Sequence, residues 1–213
     1  ENRRVVTLKI NHGKSEVFNG HGTQCCVDFL RGGTGDGFVE ENVEFARKQI
    51  KNIKWNHDVG FMIYCSFGNG LRLTGDPEYK EVIVEAARSL STRFRPVAGI
   101  IQSWDVDRGW ISERGWECPV IIDNMMNLEL LFAATRLSGD STFYKVAVSH
   151  VDRTMKEQYR PDGSCYHVVD YSMKDGSVRN RHTTQGYAHE SAWSRRQAWG
   201  IYGLMLCYRE TSC

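Results

Sequence analysis

Two carboxylates stand out by their surroundings. Asp58 lies in HDVGF at the start of an otherwise apolar run, and Asp123 lies in PVIIDNMMNLELL, similarly placed. A carboxylate near a helix N-terminus gains from free backbone N–H groups and the helix dipole, so each has a plain reading as a helix cap. Both, however, sit at matching ends of two apolar helices. If those ends converge, the pair is the minimum apparatus for acid–base work on a sugar. Mutual repulsion between them is expected to keep one protonated near neutral pH. Other polar groups follow in the second half: His167 after PDGSCY, Gln185 in TTQGYA, and Arg195 and Trp199 in SAWSRRQAW. Arg195 and Trp199 are four residues apart, hence on one helical face. Arginine can clamp a carboxylate with paired hydrogen bonds, and tryptophan can stack on the apolar face of a sugar. An ordinary loop histidine at position 167, and core roles for the tryptophans at 55, 104, 110, 116, 193 and 199, remain open.

The elements that would position these groups are written as a repeat. A phrase recurs three times: GGTGDGFVEENVEFARKQI from Gly32, LRLTGDPEYKEVIVEAARSL from Leu71 and TRLSGDSTFYKVAVSHVDRTM from Thr135. Gly35, Gly75 and Gly139 each follow a helical run and suit its left-handed C-terminal cap. Asp36, Asp76 and Asp140 suit the N-cap of the next helix, and Pro77 a first helical turn. Each unit reads as helix, tight turn, helix. The first helix of a unit is apolar nearly all round, as in GFMIYCSFGNGLRL from Gly60 and VIIDNMMNLELLFAATRL from Val120. The second is amphipathic, as in EYKEVIVEAARSLSTRF from Glu78. Buried inner helices wrapped by amphipathic outer ones predict an all-α fold, an α/α toroid of helical hairpins. An open α-solenoid is the competing architecture. AWGIYGLMLCYRETSC from Ala198 reads as a further inner helix, so the sequence holds about three and a half hairpins.

No strand-rich region is expected, but Lys174-Asp175-Gly176 reads as a hairpin turn in the long loop from Arg160. Long loops on one face of a helical scaffold are where function concentrates. Of the 213 residues 41% are hydrophobic, and 27 basic against 26 acidic residues leave a net charge of +1. That balance offers no footprint for nucleic acid or an anionic membrane, and no apolar run nears the roughly 20 residues of a membrane span. No signal-peptide core follows the charged start. Seven cysteines show no metal-ligand spacing and read as free thiols. Phosphate-binding and dinucleotide loops, the GxSxG elbow and HExxH are absent.

Three stretches carry a resemblance: HDVGFMIYCSFGNGLRLTGDPEYKEV, PVIIDNMMNLELLFAATRLSGDSTFYKVAVSH, and RPDGSCYHVVDYSMKDGSVRNRHTTQGYAHESAWSRRQAWGIYGL. From about His57 to Tyr208 the chain closely resembles the unsaturated glucuronyl hydrolases, glycoside hydrolase family 88. The unsaturated rhamnogalacturonyl hydrolases, which share fold and chemistry, match these phrases less well. The resemblance implies a six-hairpin α/α barrel, of which this sequence would hold the first three to four hairpins as a single incomplete domain over 1–213. It implies as substrate an oligosaccharide ending in a C4=C5 unsaturated uronic acid, the product of a polysaccharide lyase. It further implies Asp123 as general acid/base, Asp58 as supporting carboxylate, and His57, His167, Gln185, Arg195 and Trp199 in the substrate site. No metal or organic cofactor, nucleic acid or membrane is implied. Compartment stays open between bacterial cytoplasm and periplasm. The sequence departs from the family pattern in Val17 to Leu30, where Trp and Pro are missing, so 1–25 reads as an atypical segment. It departs again before QAW, where Arg196 stands in place of a glycine. These departures leave a second function class in view, an inactive helical remnant or carbohydrate-binding module. Uncovered inner helices would also promote self-association.

Overall fold

The computed structural model describes residues 57–211. The atypical segment 1–25, the first repeated phrase with Gly35 and Asp36, Trp55, Cys25, Cys26 and Cys213 lie outside the described residues.

Both repeated turns within this range form as expected. The first inner helix runs as α1 (Val59–Ile63), a π-helical turn (Tyr64–Gly68) and α2 (Asn69–Thr74). Gly75 ends it with φ 73°, its N–H donating to Leu71 O at 2.8 Å. Asp76 then accepts from Glu78 N at 2.9 Å, and Pro77 opens α3 (Pro77–Ser91). Gly139 and Asp140 repeat the device between α4 (Leu128–Ser138) and α5 (Ser141–Glu157): φ is 77°, and Asp140 accepts from Thr142 N at 2.8 Å. The side-chain oxygen replaces a missing intrahelical acceptor, and the left-handed glycine lets the chain reverse.

The outer helices bury one stripe each. On α3 it is Tyr79, Val82, Ile83, Ala86, Ala87 and Leu90, at the spacing of an amphipathic helix. On α5 it is Phe143, Val146, Ala147, His150, Val151 and Thr154. The inner α4 is buried at six positions, from Leu128 to Ala134. The last inner helix, α6 (Ser194–Thr211), is not covered on all sides. It packs against α4 and the segment before it, while Ile201, Tyr202, Met205 and Tyr208 stay exposed. These hairpins are consecutive units of an α/α barrel and settle the architecture against an open α-solenoid.

No strand-rich region appears among the described residues, as expected, but short strands form between the helices. β1 (Phe94–Arg95) and β2 (Ile100–Ile101) form a short antiparallel pair, and β3 (Pro119–Ile121), β4 (Val168–Tyr171) and β5 (Val178–His182) form a three-stranded antiparallel sheet. The Asp-Gly turn joins β4 to β5 as expected: Gly176 has φ 73° and Asp175 Oδ1 accepts from Ser177 N at 3.0 Å. β3 escapes a reading by pattern because three residues carry no period, and its partner lies far along the chain, with Val120 opposite Val169. Cys118, Cys165 and Cys207 are buried free thiols whose pKa values burial raises to about 12, 11 and 12, so they stay protonated and inert. No helix among the described residues is long and apolar enough to cross a membrane.

Candidate active site

The strand β3 runs straight into a 3₁₀ segment (Ile122–Asn127) that carries Asp123 in its first turn. Ile122 N donates to His167 O at 3.1 Å, so the strand pair sets Asp123 and His167 side by side. Asp58 precedes α1, and Arg196 sits in the first turn of α6. The starts of three inner segments thus gather at one end, the mouth.

Buried amides fix this convergence. Asn124 Nδ2 donates to Ile101 O at 2.6 Å, Asn127 Nδ2 to Asn124 Oδ1 at 3.3 Å, and Phe61 N to Asn127 Oδ1 at 3.3 Å. The chain of bonds ties β2, the 3₁₀ segment and α1 together. Two glycines permit the approach: a methyl at Gly60 would lie 2.4 Å from Asn127 Cα, and one at Gly203 would lie 2.4 Å from Met125 Cβ. Sequence reasoning missed Asn124 and Asn127. Their signal is two amides three residues apart inside IIDNMMNLELL, where a buried polar group must find a partner.

Neither carboxylate caps a helix. Asp58 occupies the N-cap position without a side-chain cap hydrogen bond, and its Oδ1 lies 2.9 Å from His57 Nε2, an ion pair when the imidazole is protonated. The angles at His57 fall short of a hydrogen bond. Asp123 Oδ2 is paired with the Arg196 guanidinium, whereas its Oδ1 is buried with no hydrogen-bond partner. Arg196 also donates to Gln185 Oε1 and stacks over Trp193 at 4.7 Å. Burial lowers its pKa to about 10 while Asp58 opposes the shift, so it is charged at neutral pH and faces both carboxylates. The mouth thus holds two carboxylates with a guanidinium beside them.

His167 is buried. Its Nδ1 accepts from Thr184 N at 3.3 Å and lies 2.9 Å from Thr183 Oγ1, which assigns the ring proton to Nε2. That Nε2 is buried without a partner. Burial lowers the ring's pKa to about 4, so it is a neutral N–H donor without a partner among the described residues. Gln185 reaches the mouth through Arg196. Arg195 is exposed and lies over Trp193 at 5.2 Å, and Trp199 is half-buried. Successive helical residues point about 100° apart, so the two adjacent arginines point in different directions, Arg196 toward Asp123 and Arg195 over Trp193. A wall of rings flanks His57. Trp104 meets it edge-on at 5.8 Å and packs against Trp110 at 5.4 Å and Trp116 at 6.3 Å. No metal-binding cluster of His, Cys, Asp or Glu occurs among the described residues.

No protein-family profile matches the chain. It is 48% identical over 183 residues to an unsaturated glucuronyl hydrolase of Formosa agariphila, covering 84% of this chain and 44% of that protein. It is 36% identical over 157 residues to an unsaturated chondroitin disaccharide hydrolase of Streptococcus agalactiae, covering 73% and 38%. Among solved structures, an unsaturated glucuronyl hydrolase specific for heparin superposes with a TM-score of 0.74 at 39% identity, over 90% of this chain and 50% of that one. The chain spans about half the length of these relatives. Over that half, in sequence and in fold, it belongs to the unsaturated glucuronyl hydrolase family.

Proposed function

We propose that the chain carries the acid–base half of a glycosidase that removes an unsaturated uronic acid from oligosaccharides left by polysaccharide lyases. One observation supports this most: Asp123 is held at Oδ2 by Arg196 while Oδ1 is buried and unpartnered at the mouth. An oriented carboxyl with one oxygen left for a ligand suits proton transfer to a bound substrate. In its protonated form Asp123 delivers a proton to C4 of the enol ether, and the carboxylate left behind takes one from the water that adds at C5, so the acid is regenerated and the net change is addition of water across the double bond. The hemiketal so formed opens by itself and the sugar departs. Asp58, with His57, is the supporting carboxylate. The His167 N–H, Gln185, Arg195 and Trp199 hold the sugar, with Arg196 fixing both Asp123 and Gln185. The names of the relatives favour this reading over the rhamnogalacturonyl hydrolase or a binding module without turnover.

The test is to mix the chain with an unsaturated chondroitin disaccharide and follow the ultraviolet absorbance of its C4=C5 bond. A fall that vanishes in Asp123→Asn, with binding retained, is expected. An unchanged rate in that variant sinks the assignment. The exposed apolar face of α6 further supports self-association of the isolated chain. Elution as a monodisperse monomer on size exclusion would refute that.

A further inference from the structure

The 3₁₀ segment Gly109–Arg114 contributes nothing to the chemistry proposed above, yet its side chains are arranged as a ledge beside His57. Trp110 is 50% exposed and contacts Trp104, the ring that touches His57. Arg114 is exposed, with its guanidinium 5.3 Å from the Trp110 ring centre and 5.4 Å from that of Trp116. Many arginines of the molecule lie within ion-pair distance of a carboxylate, among them Arg93, Arg153, Arg181 and Arg209. Arg114 has no such partner and makes no hydrogen bond among the described residues; it is held by rings alone. On the other side of the wall, Trp116 packs against His182 at 5.3 Å. Burial first, then the charges of His189 and Arg114, lower the pKa of His182, with Asp170 opposing. Arg114 is thus the fixed positive charge of the ledge.

A guanidinium laid over indole rings keeps its in-plane N–H fork free for an oxyanion and has already lost part of its side-chain freedom. The neighbouring Trp110 offers an apolar surface of the kind on which a sugar ring stacks. Two ring-to-ring steps, of 5.8 and 5.4 Å, separate His57 from Trp110, placing the ledge beyond the first sugar and within reach of the next. We propose that Trp110 and Arg114 form a subsite for the sugar that follows the unsaturated uronate, with Arg114 binding a sulfate ester on that sugar. The inference rests on the hydrolase reading of the mouth.

The experiment uses the whole chain carrying Asp123→Asn, so that the sugar survives titration. Unsulfated and monosulfated unsaturated chondroitin disaccharides are titrated by calorimetry, with tryptophan fluorescence recorded alongside. A sulfated form should bind roughly three- to fivefold tighter at low salt, as befits an exposed charge pair. The advantage should shrink in ~0.5 M salt. Arg114→Gln should erase it without changing affinity for the unsulfated sugar, and Arg114→Lys should restore part of it. Trp110→Ala should weaken both sugars and reduce the fluorescence response. Both residues are exposed, and an unchanged circular dichroism spectrum confirms folding of each variant. Equal binding of all sugars by the parent, or a sulfate preference that survives Arg114→Gln, overturns the subsite and leaves the hydrolase reading standing. If no sugar binds the parent, the hydrolase reading falls and the subsite with it.

Discussion

Arginine meets carboxylate at both ends of the inner helices. In the half away from the mouth, Arg209 pairs with Glu129 at 2.9 Å, Tyr202 donates to the same carboxylate at 2.9 Å, and Arg136 pairs with Glu210. These arginines are 62% and 53% exposed, and they line, with Tyr64, Arg72 and Tyr202, a cavity of about 600 Å³. At the mouth, the Arg196 side chain is 7% exposed and Asp123 Oδ1 and His167 Nε2 are left without partners. The far half holds a sizeable hollow, but its charges answer one another. A buried polar atom without a partner costs about 1–3 kcal/mol, and a fold keeps such atoms where a ligand completes them. A carboxylate oxygen and an imidazole N–H without partners among the described residues therefore set the mouth apart from the far half.

The comparison can be broken by substitution. Asp123→Asn should lower turnover by roughly 10²- to 10⁴-fold, the span of general acid–base catalysis. Arg209→Ala should leave turnover within about twofold, since only an exposed pair is lost. If the two variants lose activity equally in the absorbance assay, the distinction between the halves fails.

Gly60→Ala should destabilise the fold by about 1–3 kcal/mol in urea melts, because the methyl meets Asn127 backbone rather than a flexible side chain. It should also cut activity beyond that loss, by shifting α1 and Asp58 relative to Asp123. An alanine that is neutral in both readouts would show that the inner helices have slack.

A pH series sharpens the contrast further. His167 at the mouth has a pKa near 4 and His150 on α5 a pKa near 3, both lowered by burial. The folded protein thus binds fewer protons than the unfolded chain, whose histidines titrate near 6.5. Stability from these residues is complete above about pH 6.5 and is lost as pH falls toward 4 and then 3, with a slope approaching 1.4 kcal/mol per unit for each histidine. Thermal melts from pH 7 to 4 should show the loss, and His167→Asn should flatten part of it. A melting temperature independent of pH over that range would contradict the burial of both rings. The smallest effect belongs to Arg209→Ala, under about 1 kcal/mol in stability.

Much of the scaffold is legible in the amino-acid sequence. Gly-Asp at 75–76 and 139–140 announces a left-handed cap followed by an N-cap, and Asp175-Gly176 announces a hairpin, because each is a local backbone requirement met by one residue type. The polar groups of the mouth are legible as residue types, but their partners are not. That Arg196 meets Asp123 depends on the phase of α6, which Ser194 begins without a clear cap signal in the sequence. β3 and the Asn124–Asn127 relay arise from contacts across long separations, which periodicity does not encode.

The π-helical turn at Tyr64–Gly68 has a consequence for how this family of hairpins can vary. A π turn takes in about one residue more than an α turn, so everything after it is rotated by roughly 100° relative to an uninterrupted helix. Asp58 lies upstream of that step, and Asn69 and Arg72 of the far cavity lie downstream. The insertion works as a phase adjuster between the two ends of one rod. Removing a single residue there would leave a regular helix with its mouth end in place and its other end turned to new neighbours, so the far end can be re-aimed while the mouth end stays where it is.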